Sequence, residues 1–147
     1  MIGYLGSPPE IPKTELIMSE SETTVRNIVR PALTTVDRND HVAAAAYLMK
    51  RAGASALVVL DDKTNMPVGL ITEADIVHAV GDGKNVNDVR IYNLMTPDLT
   101  TISATTTVRD AAESMLSSHF RHLPVVDDSG LIGMVDITDV CRALLRE

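Results

Sequence analysis

An internal duplication restricts the possible folds of this chain more than any other feature of its sequence. When the sequence is shifted by 66 residues, segment 25–62 aligns with segment 91–128, and 13 of the 38 aligned positions are identical. After a two-residue difference in a turn the alignment resumes, and Asp75 falls on Asp139. Similarity at a fixed period indicates one structural unit that is used twice.

Each copy has the same order of predicted elements, which is strand, helix, strand, strand, helix. Apolar residues at helical spacing, such as Val42, Ala45 and Met49, predict the first helix of the first copy. Short apolar runs between turn residues are typical of strands. In the first copy the predicted elements are 33–36, 40–52, 56–60, 68–71 and 72–80, and in the second copy they are 99–102, 107–118, 122–126, 131–135 and 136–145.

The predicted organisation has four parts: a tail at 1–22, a first domain at 23–80, a linker at 81–88 and a second domain at 89–147. Prolines and glutamates in the tail favour extended backbone and predict a mobile arm. Its apolar residues leave open that it docks on the body of the protein or on a partner subunit. Glycines in the linker predict a flexible joint between the copies.

The composition excludes several classes of protein. There are 20 acidic and 13 basic residues, with a formal net charge of −7, whereas nucleic-acid polymers are bound by basic surfaces. An apolar run of about 18 residues, as a transmembrane helix needs, is absent, and the N-terminus lacks the pattern of a signal peptide. The single cysteine, Cys141, cannot form an internal disulfide, which favours a cytoplasmic protein. We expect it to be buried as a small apolar residue.

The turn that begins at Gly69 and ends at Asp75 is the most informative motif. A structural interpretation is that Thr72 caps a helix and that Asp75, at the third helical position, completes a capping box. A carboxylate in the first turn also suits the helix dipole. Capping does not explain why the glycine recurs in the second copy, so an interpretation as a ligand site stays open beside it.

The motifs together resemble a tandem pair of cystathionine beta-synthase (CBS) domains, the Bateman module, over residues 23–147. The resemblance is carried by segments 93–97 and 122–127 and by the glycine-to-aspartate turn of both copies. It implies an α/β fold of two βαββα repeats that pack with pseudo-twofold symmetry. It also implies a homodimer, because CBS pairs usually associate into a flat disc.

The resemblance also implies a ligand site. In CBS pairs the Ser or Thr and the Asp of this turn contact adenosine nucleotides, and these roles carry over to Thr72 and Asp75, with Asp75 accepting hydrogen bonds from the ribose. The second copy keeps Asp139 but has Asp136 in place of the usual Ser or Thr. Asp136 caps a helix equally well, but its charge would repel a phosphate. We therefore expect this second site to be empty or to take a ligand with little charge.

Family positions imply the walls around the adenine. A ligand on Asp75 would lie against Thr106, Ala111 and Phe120, and one on Asp139 would meet Asp40, Ala45 and Ala54. The small side chains would let a flat ring approach the backbone, although the same alanines are equally ordinary in helix packing.

Basic residues that suit a phosphate occur in the second copy. Arg121 and His122 precede a strand at the point where CBS proteins often have a phosphate-contacting residue, whereas the corresponding Ser55 and Ala56 cannot pair with phosphate charge. Because the two sites are expected to face each other across one cleft, we hypothesise that Arg121 reaches over to the ligand on Asp75. The alternative is an ion pair between Arg121 and a surface aspartate.

Catalytic signatures are missing from the sequence. The four histidines lack metal-site spacing, and there is neither a Walker-type loop nor a nucleophile elbow. We therefore predict a regulatory module, not an enzyme, without a metal or a required cofactor. It would bind AMP, ADP, ATP, NAD(H) or S-adenosylmethionine and alter an unidentified effector protein. The alternative is a structural or adaptor dimerisation module with no tight small-molecule ligand.

Overall fold

The computed structural model describes residues 23–31 and 34–146. The predicted tail at 1–22 therefore lies outside the described residues. The first repeat consists of strand β1 (Thr35–Asp37), helix α1 (Val42–Ala52), strands β2 (Ala56–Leu60) and β3 (Pro67–Thr72), and helix α2 (Glu73–Gly81). The second repeat consists of strand β5 (Ile102–Ser103), helix α3 (Val108–Ser118), strands β6 (His122–Asp127) and β7 (Gly130–Asp136), and helix α4 (Ile137–Arg146).

The two sheets have the same topology, which confirms the predicted α/β fold of two repeats. In the first sheet β1 runs parallel to β2, and β2 runs antiparallel to β3. In the second sheet β5 runs parallel to β6, and β6 runs antiparallel to β7. Val59 pairs with Gly69 in one sheet and Val125 with Gly133 in the other, and both registers shift directly afterwards.

A two-residue strand, β4 (Thr96–Pro97), pairs with the edge of β3 and was not predicted from the sequence. It belongs to the segment 86–97 that leads into the second repeat. Val89, Ile91 and Met95 of this segment are packed in the core of the first repeat. The leading segment of the second repeat therefore completes the first repeat.

The leading segment of the first repeat, residues 23–31, makes the reciprocal crossing. Val25 is completely buried in the core of the second repeat. Arg30 forms an antiparallel bridge with Met134 on β7. This bridge corresponds to the pairing of Thr96 with Leu70 in the first sheet, so Arg30 and Thr96 are structural counterparts. The two repeats are thus joined by an exchange of their leading segments.

Aliphatic side chains fill both cores. Val42, Ala45 and Met49 lie on the buried face of α1, as expected from their helical spacing. Val108, Ala111 and Met115 occupy the same face of α3. Burial of these faces against the sheets holds α1 and α3 in place. The other two helices, α2 and α4, follow β3 and β7 directly and begin at the junction of the repeats.

The recurring glycines have a packing role. A Cβ atom built on Gly69 would lie 2.5 Å from the Thr96 carbonyl oxygen, and one built on Gly133 would lie 2.2 Å from the Arg30 carbonyl oxygen. Any side chain would therefore push the leading segment off the sheet. The recurrence of this glycine, which capping did not explain, follows from the crossing of the leading segments.

Cys141 is exposed on α4, so the prediction that it is buried was wrong: the buried face of α4 carries Asp139, Val140 and Ala143 instead. Among the described residues, no helix is both long and apolar enough to cross a membrane.

Candidate ligand clefts between the repeats

The start of helix α2 has the predicted capping box. The Thr72 hydroxyl accepts a hydrogen bond from the Asp75 N–H at 3.2 Å, and Asp75 Oδ2 accepts one from the Thr72 N–H at 2.8 Å. The reciprocal bonds satisfy two of the backbone donors that an isolated helix start leaves without partners. The capping interpretation of this turn is therefore confirmed, and it is compatible with a ligand site at the same place.

A cleft of about 540 Å³ opens beside this helix start, and we call it the larger cleft. The first repeat and its partner strand supply Thr72, Glu73 and Thr96, among others. The second repeat supplies the opposite wall. Its lining residues are Ser55, Leu70, Thr72, Glu73, Ala74, Thr96, Pro97, Asp98, Leu99, Thr100, His119, Phe120, Arg121, His122, Asp136, Ile137 and Thr138.

The corresponding position beside the start of α4 holds a cleft of about 120 Å³, which we call the smaller cleft. It is lined by Arg30, Thr34, Ala52, Gly53, Ala54, Ser55, Ala56, His122, Met134, Asp136 and Asp139. The duplication aligns most of these residues with the lining of the larger cleft. The two clefts are therefore copies of one site that differ more than fourfold in volume.

The wall between the clefts contains Ser55, His122 and Asp136, which line both. Ser55 Oγ lies 2.7 Å from His122 Nε2, so a hydrogen bond joins the repeats at this wall. We expected two sites that face each other across one cleft, whereas the structure has two separate cavities, one on either side of this wall.

His122 is held in a partly buried position. Burial lowers the pKa of its imidazole below the ordinary value of 6.5, against the opposing charges of Asp136 and Glu73. A neutral imidazole fits the contact with Ser55, because one ring nitrogen then donates and the other accepts.

The wall of the larger cleft on the second repeat is the run from His119 to His122, and its counterpart in the smaller cleft is the run from Gly53 to Ala56. His119 has a left-handed backbone with φ of 60°, as Gly53 has with 63°. This conformation disfavours residues with a side chain. His119 therefore ends α3 in the same conformation in which Gly53 ends α1, and it places an imidazole in the lining of the larger cleft.

Asp139 is the counterpart of Asp75, but its carboxylate already has a partner. Arg30 Nε lies 3.2 and 3.1 Å from Asp139 Oδ1 and Oδ2, and Arg30 Nη2 lies 2.9 Å from Oδ1. The Asp139 side chain is 8% exposed, whereas that of Arg30 is 59% exposed. Burial opposes ionisation of Asp139, but the hydrogen bonds from Arg30 and from the Asp136 N–H outweigh it and lower the pKa of this carboxyl group.

Asp75 has no such partner. In the part of the chain that the structure describes, no cationic side chain lies within 4.0 Å of its carboxylate. The counterpart of Arg30 at this site is Thr96, which is neutral and short. Arg30 was not among the predicted site residues. The repeat alignment does contain a signal, because Arg30 aligns with Thr96 between the identical pairs Asn27/Asn93 and Pro31/Pro97.

The structure places the other predicted site residues as follows. Thr72, Phe120, Arg121, His122 and Asp136 line the larger cleft, and Ala54, Asp136 and Asp139 line the smaller one. Asp75 is not among the residues that line the larger cleft: it lies directly after Thr72, Glu73 and Ala74 in the chain, and its Oδ2 accepts from the Thr72 N–H. Ala45 and Ala111 are completely buried in the two cores, so their side chains offer no surface to a ligand.

Asp40 and Thr106 line neither cleft. Each is held instead by a backbone contact with a leading segment: the Asp40 carbonyl oxygen accepts from the Ile91 N–H, and that of Thr106 accepts from the Val25 N–H. Within the described ranges, no group of three His, Cys, Asp or Glu side chains could hold a metal ion.

Comparison with known proteins agrees with this architecture. The chain is 40% identical over 129 residues to an uncharacterised 17.7 kDa protein from Acidianus ambivalens, covering 87% of this chain and 73% of that protein. It spans 61% and 55% of the length of two further curated relatives.

Two of the similar solved structures are ligand complexes. CBSX2 in complex with AMP superposes with a TM-score of 0.67 at 29% identity, covering 84% of this chain and 97% of that one. The CBS domain pair of MJ0100 in complex with 5′-methylthioadenosine and S-adenosyl-L-methionine superposes with a TM-score of 0.74 at 26% identity, covering 84% and 97%. The sequence model of the CBS domain matches residues 25–82 and 86–146. The chain therefore belongs to the CBS-domain family, and each of its two repeats is a CBS domain.

Proposed function

We propose that this protein is a regulatory module that binds one adenosine-type ligand in the larger cleft and passes the signal to a partner protein. The observation that carries the proposal is the larger cleft itself, which lies beside the capped start of α2 and has Arg121 and His122 of the other repeat on its opposite wall. The volume of about 540 Å³ lies within the range of about 300–1,000 Å³ that is typical of small-molecule sites.

The phosphate end of such a ligand would lie between the start of α2 and the opposite wall. The backbone N–H groups and dipole of a helix start favour an anion. Arg121 supplies a permanent positive charge, and His119 and His122 supply further donors along the same wall. The counterparts Gly53, Ser55 and Ala56 in the smaller cleft have no cationic side chain.

The nucleoside end would use the remaining surfaces of the larger cleft. Asp75 offers a carboxylate oxygen to a ribose diol, as the family motif implies. Phe120 is 37% exposed and offers a ring face, and Leu70, Pro97 and Leu99 supply apolar contacts. An adenine base would therefore rest on one ring and on aliphatic side chains.

The charges of the larger cleft favour ligands with few phosphates. Three carboxylates, those of Glu73, Asp98 and Asp136, line it beside a single arginine. Each further phosphate would meet more repulsion than attraction. We therefore expect AMP and uncharged adenosine derivatives to bind more tightly than ATP. The AMP complex of CBSX2 and the 5′-methylthioadenosine and S-adenosyl-L-methionine complex of MJ0100 support a ligand of this class.

Isothermal titration calorimetry with AMP, ATP, 5′-methylthioadenosine and S-adenosylmethionine tests the proposal. The diagnostic variant is Asp75→Asn, which keeps an acceptor for the Thr72 N–H but removes the charge that a ribose diol would use. We expect it to weaken binding about tenfold or more, because hydrogen bonds to charged groups are worth about 1.5–3 kcal/mol. Asp139→Asn is the matched control and should leave binding to the larger cleft unchanged.

Two results would contradict this function. One is the absence of a heat of binding for every ligand at millimolar concentration, which would favour the adaptor alternative. The other is equal weakening by Asp75→Asn and Asp139→Asn, which would place the ligand elsewhere.

A second substitution tests the role of Arg121. If this side chain contacts a phosphate, Arg121→Ala should weaken AMP but not 5′-methylthioadenosine, which has no phosphate. An unchanged affinity for AMP would refute phosphate recognition by Arg121.

We also propose that the protein is a homodimer that associates through its helices. Large apolar side chains are exposed on all four: Tyr47 on α1, Val77 and Val80 on α2, Leu116 on α3, and Leu145 on α4. Val77 and Val80 are three residues apart and thus share one face of α2. Exposed apolar residues on neighbouring elements are typical of a protein–protein contact.

Light scattering after size-exclusion chromatography tests the dimer. A double variant, Val77→Asp with Leu145→Asp, should convert it to a monomer, whereas Met66→Asp, which changes an exposed apolar residue in the turn before β3, should not. A wild-type protein that elutes as a monomer at all concentrations would overturn the proposed dimer.

A further inference from the structure

The backbone fixes the position of Arg30 at the mouth of the smaller cleft. The Arg30 N–H donates to the Met134 carbonyl oxygen at 3.0 Å, and the Met134 N–H donates to the Arg30 carbonyl oxygen at 3.2 Å. Gly133 provides the space for this contact. From this anchored backbone the guanidinium reaches the start of α4 and engages both oxygens of Asp139.

The Arg30 guanidinium occupies the Asp139 carboxylate oxygens that a ribose would need as acceptors. Asp139 corresponds to Asp75, whose carboxylate is the ribose acceptor in the proposed function on which this inference rests. We infer that Arg30 is an internal competitor that closes the smaller cleft by binding Asp139, so that each chain takes one adenosine-type ligand and not two.

The cavity volumes support the competition. The smaller cleft, at about 120 Å³, lies well below the range of about 300–1,000 Å³ in which small molecules are bound. Arg30 is itself one of its lining residues, whereas the larger cleft has Thr96 at this place. A ligand that entered the smaller cleft would have to displace a side chain held by three hydrogen-bonding contacts.

The charges define which ligand could enter once Arg30 is removed. The helix start of the smaller cleft is capped by Asp136, whose Oδ1 accepts from the Asp139 N–H at 2.7 Å. Two carboxylates would then face the ligand, with Arg142 the nearest cation, its Nη1 3.6 Å from Asp139 Oδ1. A phosphate would be repelled there, whereas a nucleoside with an uncharged 5′ end would not. The opened cleft should therefore accept 5′-methylthioadenosine and exclude AMP.

The test is Arg30→Thr, which gives the smaller cleft the residue of the larger one. By calorimetry, the wild-type chain should bind one molecule of either probe. Arg30→Thr should bind two molecules of 5′-methylthioadenosine but still one of AMP, and its second site should be tighter by about tenfold or more than any second site of the wild type. The double variant Arg30→Thr with Asp136→Thr, which also restores the neutral cap, should bind two AMP.

A further pair of variants separates this inference from the proposed function. Arg30→Thr combined with Asp75→Asn should lose the larger site and keep one 5′-methylthioadenosine, in the smaller cleft. Arg30→Lys keeps the charge and provides a check that does not depend on the stability of Arg30→Thr; it should still bind one molecule of either probe.

Each outcome decides between the ideas. Two sites in the wild type, or one 5′-methylthioadenosine in a folded Arg30→Thr chain, would overturn the competition while leaving the larger cleft as a ligand site. Absence of binding to the wild type together with one bound molecule in Arg30→Thr would refute the proposed function but support the competition. Absence of binding to every variant would overturn both.

Discussion

The larger and the smaller cleft are built from corresponding residues of one duplicated unit, yet they offer different surfaces to a ligand. The larger cleft has a neutral cap at Thr72 and a basic wall, and the Asp75 carboxylate at its helix start has no cationic partner within 4.0 Å among the described residues. The smaller cleft presents a paired carboxylate at Asp139, an acidic cap at Asp136 and a wall of small residues. The fold keeps both helix starts intact, whereas the chemistry of the two sites has diverged.

The difference shows how one element can serve two purposes after a duplication. A carboxylate at the third position of a helix caps the chain in both repeats. In the first repeat this carboxylate has no cationic partner within 4.0 Å among the described residues. In the second repeat it is used to hold the leading segment through Arg30, and it therefore contributes to the join between the repeats.

The largest effect should come from filling the space beneath the leading segments. Gly133→Ala would place a Cβ 2.2 Å from the Arg30 carbonyl oxygen and 2.7 Å from a Val29 methyl group, and Gly69→Ala would place one 2.5 Å from the Thr96 carbonyl oxygen. We expect urea denaturation to show a loss of about 3 kcal/mol for Gly133→Ala and about 2 kcal/mol for Gly69→Ala, the scale of overpacking in cores.

The control for these glycines is Gly81→Ala at the end of α2, where an added Cβ would meet no atom within 4 Å. It should leave stability unchanged or raise it slightly, because alanine loses less backbone entropy on folding. Equal losses at Gly81 and Gly133 would contradict the close approach of Arg30 to β7.

The next largest effect should come from giving the larger cleft the arginine of the smaller one. Thr96→Arg should bring a guanidinium to Asp75 and weaken AMP binding by about tenfold or more, the worth of a charge-assisted hydrogen bond. Calorimetry is the measurement, with Thr96→Met as a control of similar length without charge. If Thr96→Met weakens binding as much as Thr96→Arg does, loss of volume and not pairing with Asp75 distinguishes the two clefts.

Much of this comparison could be predicted from the sequence, and the reason is physical. Helical spacing predicted α1 and α3, and the capping pattern predicted the start of α2, because these signals are local. The sequence also showed that the helix cap differs between the repeats, with Asp136 in the position that corresponds to Thr72. The pairing of Arg30 with Asp139 was not, since the two residues are 109 positions apart and meet only after the leading segments have crossed. The burial of Ala45 and Ala111 depended on the same tertiary packing, which spacing alone could not separate from a ligand contact.

A smaller effect should distinguish the two carboxylates in stability. Asp139→Asn keeps an acceptor for the Asp136 N–H but loses the charge partner of Arg30, so we expect a loss of about 1 kcal/mol, given that Arg30 is largely exposed to solvent. Asp75→Asn loses no such pair and should cost less. Denaturant unfolding at neutral pH measures both.

Acid should remove the contribution of the Asp139–Arg30 ion pair to the free energy of unfolding. Because the pKa of Asp139 is lowered in the folded protein from its ordinary value of 3.8, its stabilisation is fully present above that value and is lost as the pH falls through the lowered pKa. Asp139→Asn should therefore lose less stability than the wild type on acidification to about pH 3. Parallel acid profiles would mean that Arg30 contributes little to holding the second repeat.

The smallest effect should come from the wall between the clefts, where the second repeat has His122 and the first repeat has Ala56 at the corresponding position. Burial lowers the pKa of His122 in the folded state, so the unfolded chain takes up a proton more readily. Its contribution to stability is therefore present above the ordinary value of 6.5 and declines as the pH falls below that value. His122→Gln keeps a group that can bond Ser55 but does not titrate, and it should lose less stability than the wild type between about pH 7 and pH 5. His78→Ala controls for the loss of an exposed histidine. If His122→Gln loses as much stability as the wild type over this range, titration of His122 does not contribute to the stability of the wall. The contact of a neutral His122 with Ser55 would then not be what holds the wall between the clefts.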